Sequence, residues 1–168
     1  TTLLRILAGL NDAWSGELYW CGEPRDRQRE SFLRNTLYLG HRPGIKPLLT
    51  PLENLRALTA GRRPLPDRVL RQALEGTGLA AFQDVPCCNL SAGQQRRVAL
   101  ARLLIADEPL WLLDEVFTAI DVHGVDALEA LLLQRAAEGG AVVVTTHHDL
   151  RLPGMHRIPL GQEEAGDD

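Results

Sequence analysis

Two apolar runs lack any alternation, Leu110–Leu113 (Leu-Trp-Leu-Leu) and Ala141–Thr145 (Ala-Val-Val-Val-Thr). Unbroken runs of this length are what parallel strands buried on both faces require. Between them, Val125, Leu128, Leu131 and Leu132 share one face of a helix predicted over 122–138, with Gly139-Gly140 as its stop. Leu3, Leu4, Leu7 and Leu10 predict an N-terminal helix over 1–10, and Glu17–Trp20 and Thr36–Leu39 read as short strands. Helices are expected at 51–60, 67–76 and around 79–83. Ser91-Ala-Gly-Gln94 fits the Ser-x-x-Gln capping box, so a helix is expected from Ala92 to Ile105. Arg42–Pro51 contains Pro43, Gly44, Pro47 and Pro51, which excludes regular structure there. Pro24–Arg34 is charged and expected on the surface. Ile158–Leu160 is expected to add a last short strand before an acidic tail.

Strand–helix–strand alternation predicts an α/β fold with a parallel sheet. The 168 residues suffice for one domain with a real core, with a helical subdomain over about 42–105 inserted into it. A net charge of −4 gives no electrostatic footprint for nucleic acid. Cys21, Cys87 and Cys88 show no Cys-x-x-Cys spacing and are too few for a disulfide scaffold. No apolar run approaches the ~18–20 residues of a membrane span, so a membrane role would come through a partner.

Asp114 and Glu115 directly follow the first apolar strand, at the sheet edge where ligands of open α/β folds bind. A surface pair of acids is the bland alternative. The helix opened by Ser91, Ala92 and Gly93 can hold an anion, because Gly93 leaves room and the first amides lack intrahelical acceptors. An ordinary capped helix would look similar. Thr1-Thr2 opens the N-terminal helix, either as simple caps or as the end of a phosphate-binding loop. His147 and His148 follow the second strand. Asp107-Glu108-Pro109 has no apolar strand running into it and reads as a connecting loop.

Leu90-Ser-Ala-Gly-Gln-Gln-Arg-Arg97 and Leu110-Trp-Leu-Leu-Asp-Glu115, with Ser91 and Asp114 23 positions apart, resemble the signature and Walker B elements of ATP-binding cassette (ABC) ATPases. That resemblance implies a P-loop NTPase fold. Its N-terminal strands, Gly-rich loop and lysine are expected upstream of Thr1, and Lys46 lies too far along the chain to replace that lysine. By the same resemblance ATP and Mg²⁺ are the ligands. Thr1 would ligate Mg²⁺ beside Thr2, Asp114 would hold Mg²⁺ through water, and Glu115 would polarise the attacking water. His147 matches the switch histidine, Ser91, Ala92, Gly93 and Gln94 the signature tip, and Asp121 the D-loop. His41 stands where the Q-loop glutamine is usual. Val116 departs from the common proline.

His41, the 90–102 segment, Phe117-Thr-Ala-Ile-Asp-Val122 and Thr145-Thr-His147 are similar to the ATP-binding subunit of the bacterial haem exporter of cytochrome c maturation, from which Arg42 departs. This implies a head-to-tail dimer closing on two ATP, integral membrane subunits contacted through the 41–58 region, and a place at the cytoplasmic face of the inner membrane, without nucleic acid. A cassette for another substrate, a non-transport ABC ATPase acting on nucleic acid or ribosomes, and an inactive remnant are the other readings. Residues 1–168 alone are expected to hydrolyse ATP negligibly.

Overall fold

A computed structural model describes residues 2–12, 14–61, 63–118, 120–150 and 152–160. The larger sheet has three parallel strands in the order β3 (Thr36–Leu39), β4 (Leu110–Asp114), β5 (Ala141–Thr145). Register pairs Leu39 with Leu113 and Asp114 with Thr145, so the three strands end together at one edge. β4 is central, and both of its faces are covered. Trp111 and Leu113 pack with Ala99, Leu100 and Leu103 and with Leu128 and Leu132. Leu112 packs on the other side with Leu4 and Ala8. Those partners come from α5 (Ala92–Ala101), α6 (Val122–Ala137) and α1 (Thr2–Leu7) and the turns that follow α1 and α5. Helices on both faces of a parallel sheet make this an α/β fold.

A second core lies among helices. α3 (Pro51–Ala60) and α4 (Asp67–Gly76) contribute Leu52, Leu55, Leu70 and Leu74, and α5 closes it with Val98 and Ala101. α5 therefore packs into both cores. α3 starts at a full capping box: Thr50 accepts from the Glu53 amide, Glu53 accepts from the Thr50 amide, and Pro51 occupies the first turn. Asp67 opens α4 without a side-chain cap.

The predicted elements at 36–39, 51–60, 67–76, 110–114 and 141–145 form where expected; others differ. The helix from Ala92 stops at Ala101 and tightens into a 3₁₀ turn over Arg102–Ile105, which carries Leu103 into the sheet core. The 79–83 piece is a single 3₁₀ turn, Ala80–Phe82. The N-terminal helix ends at Leu7, leaving Leu3 and Leu10 exposed while Leu4 is buried. Tyr19–Trp20 (β1) is half of a hairpin with Glu23–Pro24 (β2), turned by Cys21 and Gly22 at positive φ.

The expected surface segment 24–34 contains α2 (Arg29–Arg34) and two buried side chains. Phe32 meets Trp20 edge-on, and Arg25 fills the space a Cβ on Gly9 would take. The expected strand at 158–160 does not form. No described strand offers its backbone a partner, and Ile158 is 77% exposed.

Buried Asn54 on α3 holds the proline-rich loop. Its Oδ1 accepts from the Lys46 amide (2.7 Å), and its Nδ2 faces the carbonyls of Lys46 (3.0 Å), Thr50 (3.1 Å) and Leu49 (3.3 Å). Asn54→Ala strands these buried groups. It should cost about 1–3 kcal/mol in urea unfolding and speed amide exchange across 46–50; unchanged exchange there would show that the loop is held by other means.

Candidate functional site

The edge at which β3, β4 and β5 end collects the chemistry. Asp114 is fully buried at the end of β4, and the Thr145 hydroxyl on β5 donates to its Oδ1 at 2.7 Å. The register that pairs Asp114 with Thr145 creates this contact. Glu115, one residue on, leaves the strand with φ +54°, a left-handed conformation that costs an L-residue roughly 1–3 kcal/mol. Its amide donates to the Thr145 carbonyl (3.0 Å), and its carbonyl accepts from the Thr118 amide (3.2 Å). The left-handed step turns Glu115 away from the direction the next strand residue would take, and its side chain is 19% exposed.

His147 follows β5, and its Nε2 lies 3.6 Å from Glu115 Oε1. His148 goes elsewhere: its ring packs beside Phe117, centroids 5.9 Å apart, and its amide donates to the Thr146 hydroxyl. Of the two adjacent histidines, His147 is the one that faces the carboxylate. His41 stands exposed just past β3, on the same sheet edge.

Arg96 and Arg97, on the second turn of α5, reach into this edge. Buried Arg96 donates through Nη1 to the carbonyls of Gly40 (3.1 Å) and His41 (3.0 Å), and through Nη2 to that of Glu115 (2.7 Å). Burial pushes its pKa below the usual value, and the Asp114 and Glu115 carboxylates oppose that shift. Arg97 pairs with Asp121 at 2.8 Å, and Asp121 also caps α6 by accepting from the Gly124 amide. Tyr38 on β3 lies against Gly40, where a Cβ would stand 3.0 Å from its hydroxyl. Burial raises the Tyr38 pKa, Asp114 adds to the rise and Arg5 opposes it, so the phenol stays neutral.

The signature tip lies apart from this cluster. Ser91 and Gln94 close a reciprocal capping box, Ser91 Oγ accepting at 3.2 Å and Gln94 Oε1 at 2.9 Å. Ala92 and Gly93 supply the first amides of the helix, which have no intrahelical acceptor by geometry. Arg96, which binds the Glu115 carbonyl, is five residues along from Ser91, about 7.5 Å down the axis. Thr2 is exposed at the start of α1, whose Leu4 packs on Leu112 of β4. Thr1 lies outside the described residues. Asp107-Glu108 is a loop, with Glu108 buried against Arg102 at 3.6 Å, and does not join the site.

Sequence reasoning passed over Arg96, Thr145 as the Asp114 partner, and Tyr38. For Arg96 a signal existed. It stands one turn before Ala99 and Leu100 on the same helix face, which the sequence marks as apolar.

The family model described as ABC transporter matches residues 1–118. The chain belongs to the ABC transporter family. Among its relatives, the cytochrome c biogenesis ATP-binding export protein CcmA of Hahella chejuensis is 55% identical over 162 residues, 96% of this chain and 77% of that protein. The proteins of the same name from Pseudomonas fluorescens and Vibrio cholerae are 52% and 50% identical, each over 96% of this chain and over 77% and 79% of their own length. Among solved structures, a dimeric post-hydrolysis state of the ATP-binding cassette MJ0796, bound to ADP and Pi, superposes with TM-score 0.75 at 27% identity, over 88% of this chain and 69% of that one. The ABC ATPase described here thus shares its backbone arrangement with a cassette solved as a dimer bound to ADP and Pi.

Thr145→Val keeps the shape of the side chain and removes the donor to Asp114 in this ABC cassette. It should lower stability by about 1.5–3 kcal/mol, read from urea midpoints at constant m, with Thr145→Ser restoring most of it. Equal stability of Val and wild type would show the hydroxyl to be dispensable.

Proposed function

We propose that this chain is the ATP-hydrolysing subunit of an ABC exporter serving cytochrome c biogenesis. The observation that carries the proposal is the edge of the sheet: a buried Asp114, an adjacent Glu115 held in a left-handed turn, and His147 3.6 Å from it. Identity of 50–55% with cytochrome c biogenesis export proteins supports the transport role. The family likeness noted in the sequence adds haem handling as the process served.

The residues suit Mg²⁺. The edge offers hard oxygen donors, and no described cluster of three or more His, Cys, Asp or Glu forms a protein cage. That matches an ion held by one or two protein oxygens together with phosphates and waters. Asp114, steadied by Thr145, and the Thr1 hydroxyl would hold it. When bound, Mg²⁺ neutralises phosphate charge. Glu115 is the base that accepts a proton from the attacking water, and the neighbouring His147 contacts the terminal phosphate. Thr2, next in sequence to Thr1, opens α1. His41 stands exposed at the entrance of the adjoining loop.

Ser91, Ala92, Gly93 and Gln94 act in trans. The N-terminus of α5 presents amides and a hydroxyl suited to an anion, on the ATP of a second copy arranged head to tail. Closure of that pair excludes solvent and strengthens the base. Asp121, paired with Arg97 of the same helix, links the two sites.

The 41–58 region is the contact for integral membrane subunits. Its tip carries Leu48, 84% exposed, on a loop that Asn54 stiffens from below. No described helix is long and apolar enough to cross a membrane, so docking through such subunits gives the protein its place at the cytoplasmic face of the inner membrane. The helical subdomain over about 42–105 carries this loop and α5 together.

In the protein bearing its complete phosphate loop, Glu115→Gln should lower ATP turnover by about 10²- to 10⁴-fold. It should also retain ATP and accumulate as a dimer on size exclusion. Turnover within twofold of wild type would refute the assigned base. Cells lacking the native gene should recover mature cytochrome c from the wild-type protein and not from Glu115→Gln. Recovery of some other transport function instead would move the cassette to another substrate.

A further inference from the structure

We propose that Arg96 is a positioning residue that sets the Glu115 base and the His41 loop entrance as one unit. The inference rests on the reading of Glu115 as base and concerns how that carboxylate is aimed. One guanidinium binds three backbone carbonyls that belong to two distant segments, Gly40 and His41 after β3 and Glu115 after β4. Both segments carry candidate catalytic side chains, and Arg96 grips the backbone beneath each of them.

The chemistry of the side chain fits this task. A planar fork with five donors can span carbonyls facing it from different directions, whereas an ammonium is a point donor. The shortest of the three bonds, 2.7 Å, goes to Glu115, the residue whose φ of +54° needs holding. That carbonyl also accepts from the Thr118 amide, so two donors fix the peptide plane just past the left-handed residue. Loss of one lets the plane swing, and the Glu115 side chain swings with it.

Stability alone does not account for the residue. Burying a guanidinium is costly, and its three hydrogen-bond partners are neutral carbonyls rather than a carboxylate that would repay the charge. One turn along the same helix face stand Ala99 and Leu100, both in the sheet core, so an apolar side chain would fit the surroundings on that side. Asp114 and Glu115 sit near enough to oppose the fall in the Arg96 pKa, so the charge itself is partly compensated by the groups it helps to arrange.

The test uses the protein with its complete nucleotide site, assembled with its membrane subunits. Arg96→Met keeps bulk and removes every donor; Arg96→Lys keeps the charge and loses the fork. Misplacing a reacting group by about 1 Å can cost on the order of 10²-fold. Both variants should therefore lose about tenfold or more in kcat while KM for ATP stays near wild type; Arg96→Met, which strands three carbonyls, should also lower the thermal midpoint, and Arg96→Lys should lower it less. In a Glu115→Gln background, Arg96→Met should cause no further loss, since the group it aims is already gone. Three results overturn the proposal: kcat within twofold of wild type in either variant, an equal loss in the presence and absence of the Glu115 carboxylate, or failure of both variants to fold. If Glu115→Gln itself retains turnover, the base assignment falls instead, and the two failures are told apart by that control.

Discussion

β4 has no wet face. Trp111 and Leu113 pack toward α5 and α6, Leu112 packs on α1, and parallel neighbours satisfy both edges of its backbone. A strand so enclosed can admit a charge only where it ends, which is where Asp114 and Glu115 stand. Each fully buried large side chain there contributes roughly 1.5–3 kcal/mol, so the register is costly to shift. A slip of one residue would turn Trp111 and Leu113 toward α1 and move Asp114 off Thr145. The position of the carboxylates is thus set by packing several residues upstream of them.

α5 transmits that position to the rest of the molecule. Its Ala99 and Leu100 belong to the sheet core and its Val98 and Ala101 to the helical core. Arg96 and Arg97 reach back to the sheet edge and to Asp121, and the capping box leaves the helix start exposed. A movement of the helical core relative to the sheet would be felt at Glu115 and Asp121 through these two side chains. The loop stiffened by Asn54 belongs to the same helical layer, so its displacement reaches the site by a short path.

Much of this was legible along the chain because it is local. Continuous apolar runs marked β4 and β5, prolines bounded the loop before α3, and Ser-x-x-Gln marked the start of α5. The family motifs pointed to Asp114, Glu115 and His147, and the structure gathers those three side chains at one edge. What escaped notice depends on distant pairing. The Arg96 contacts join residue 96 to residues 40, 41 and 115, and no periodicity encodes them. The hairpin at 19–24 depends on left-handed Cys21, an unusual turn residue. The 158–160 run has strand composition and no partner, and composition cannot supply one.

Glu115 gives the protein two incompatible optima. Its left-handed backbone is the kind of position where glycine would relieve strain, and selection for a firmer fold would favour that exchange. Under the proposed role of Glu115 as base, selection for turnover would keep a carboxylate there and accept the strain as a standing cost. A screen of variants scored by thermal tolerance or soluble yield would therefore enrich inactive chains at this position. Robust folding is a poor proxy for fitness at a site residue whose main chain takes the left-handed region.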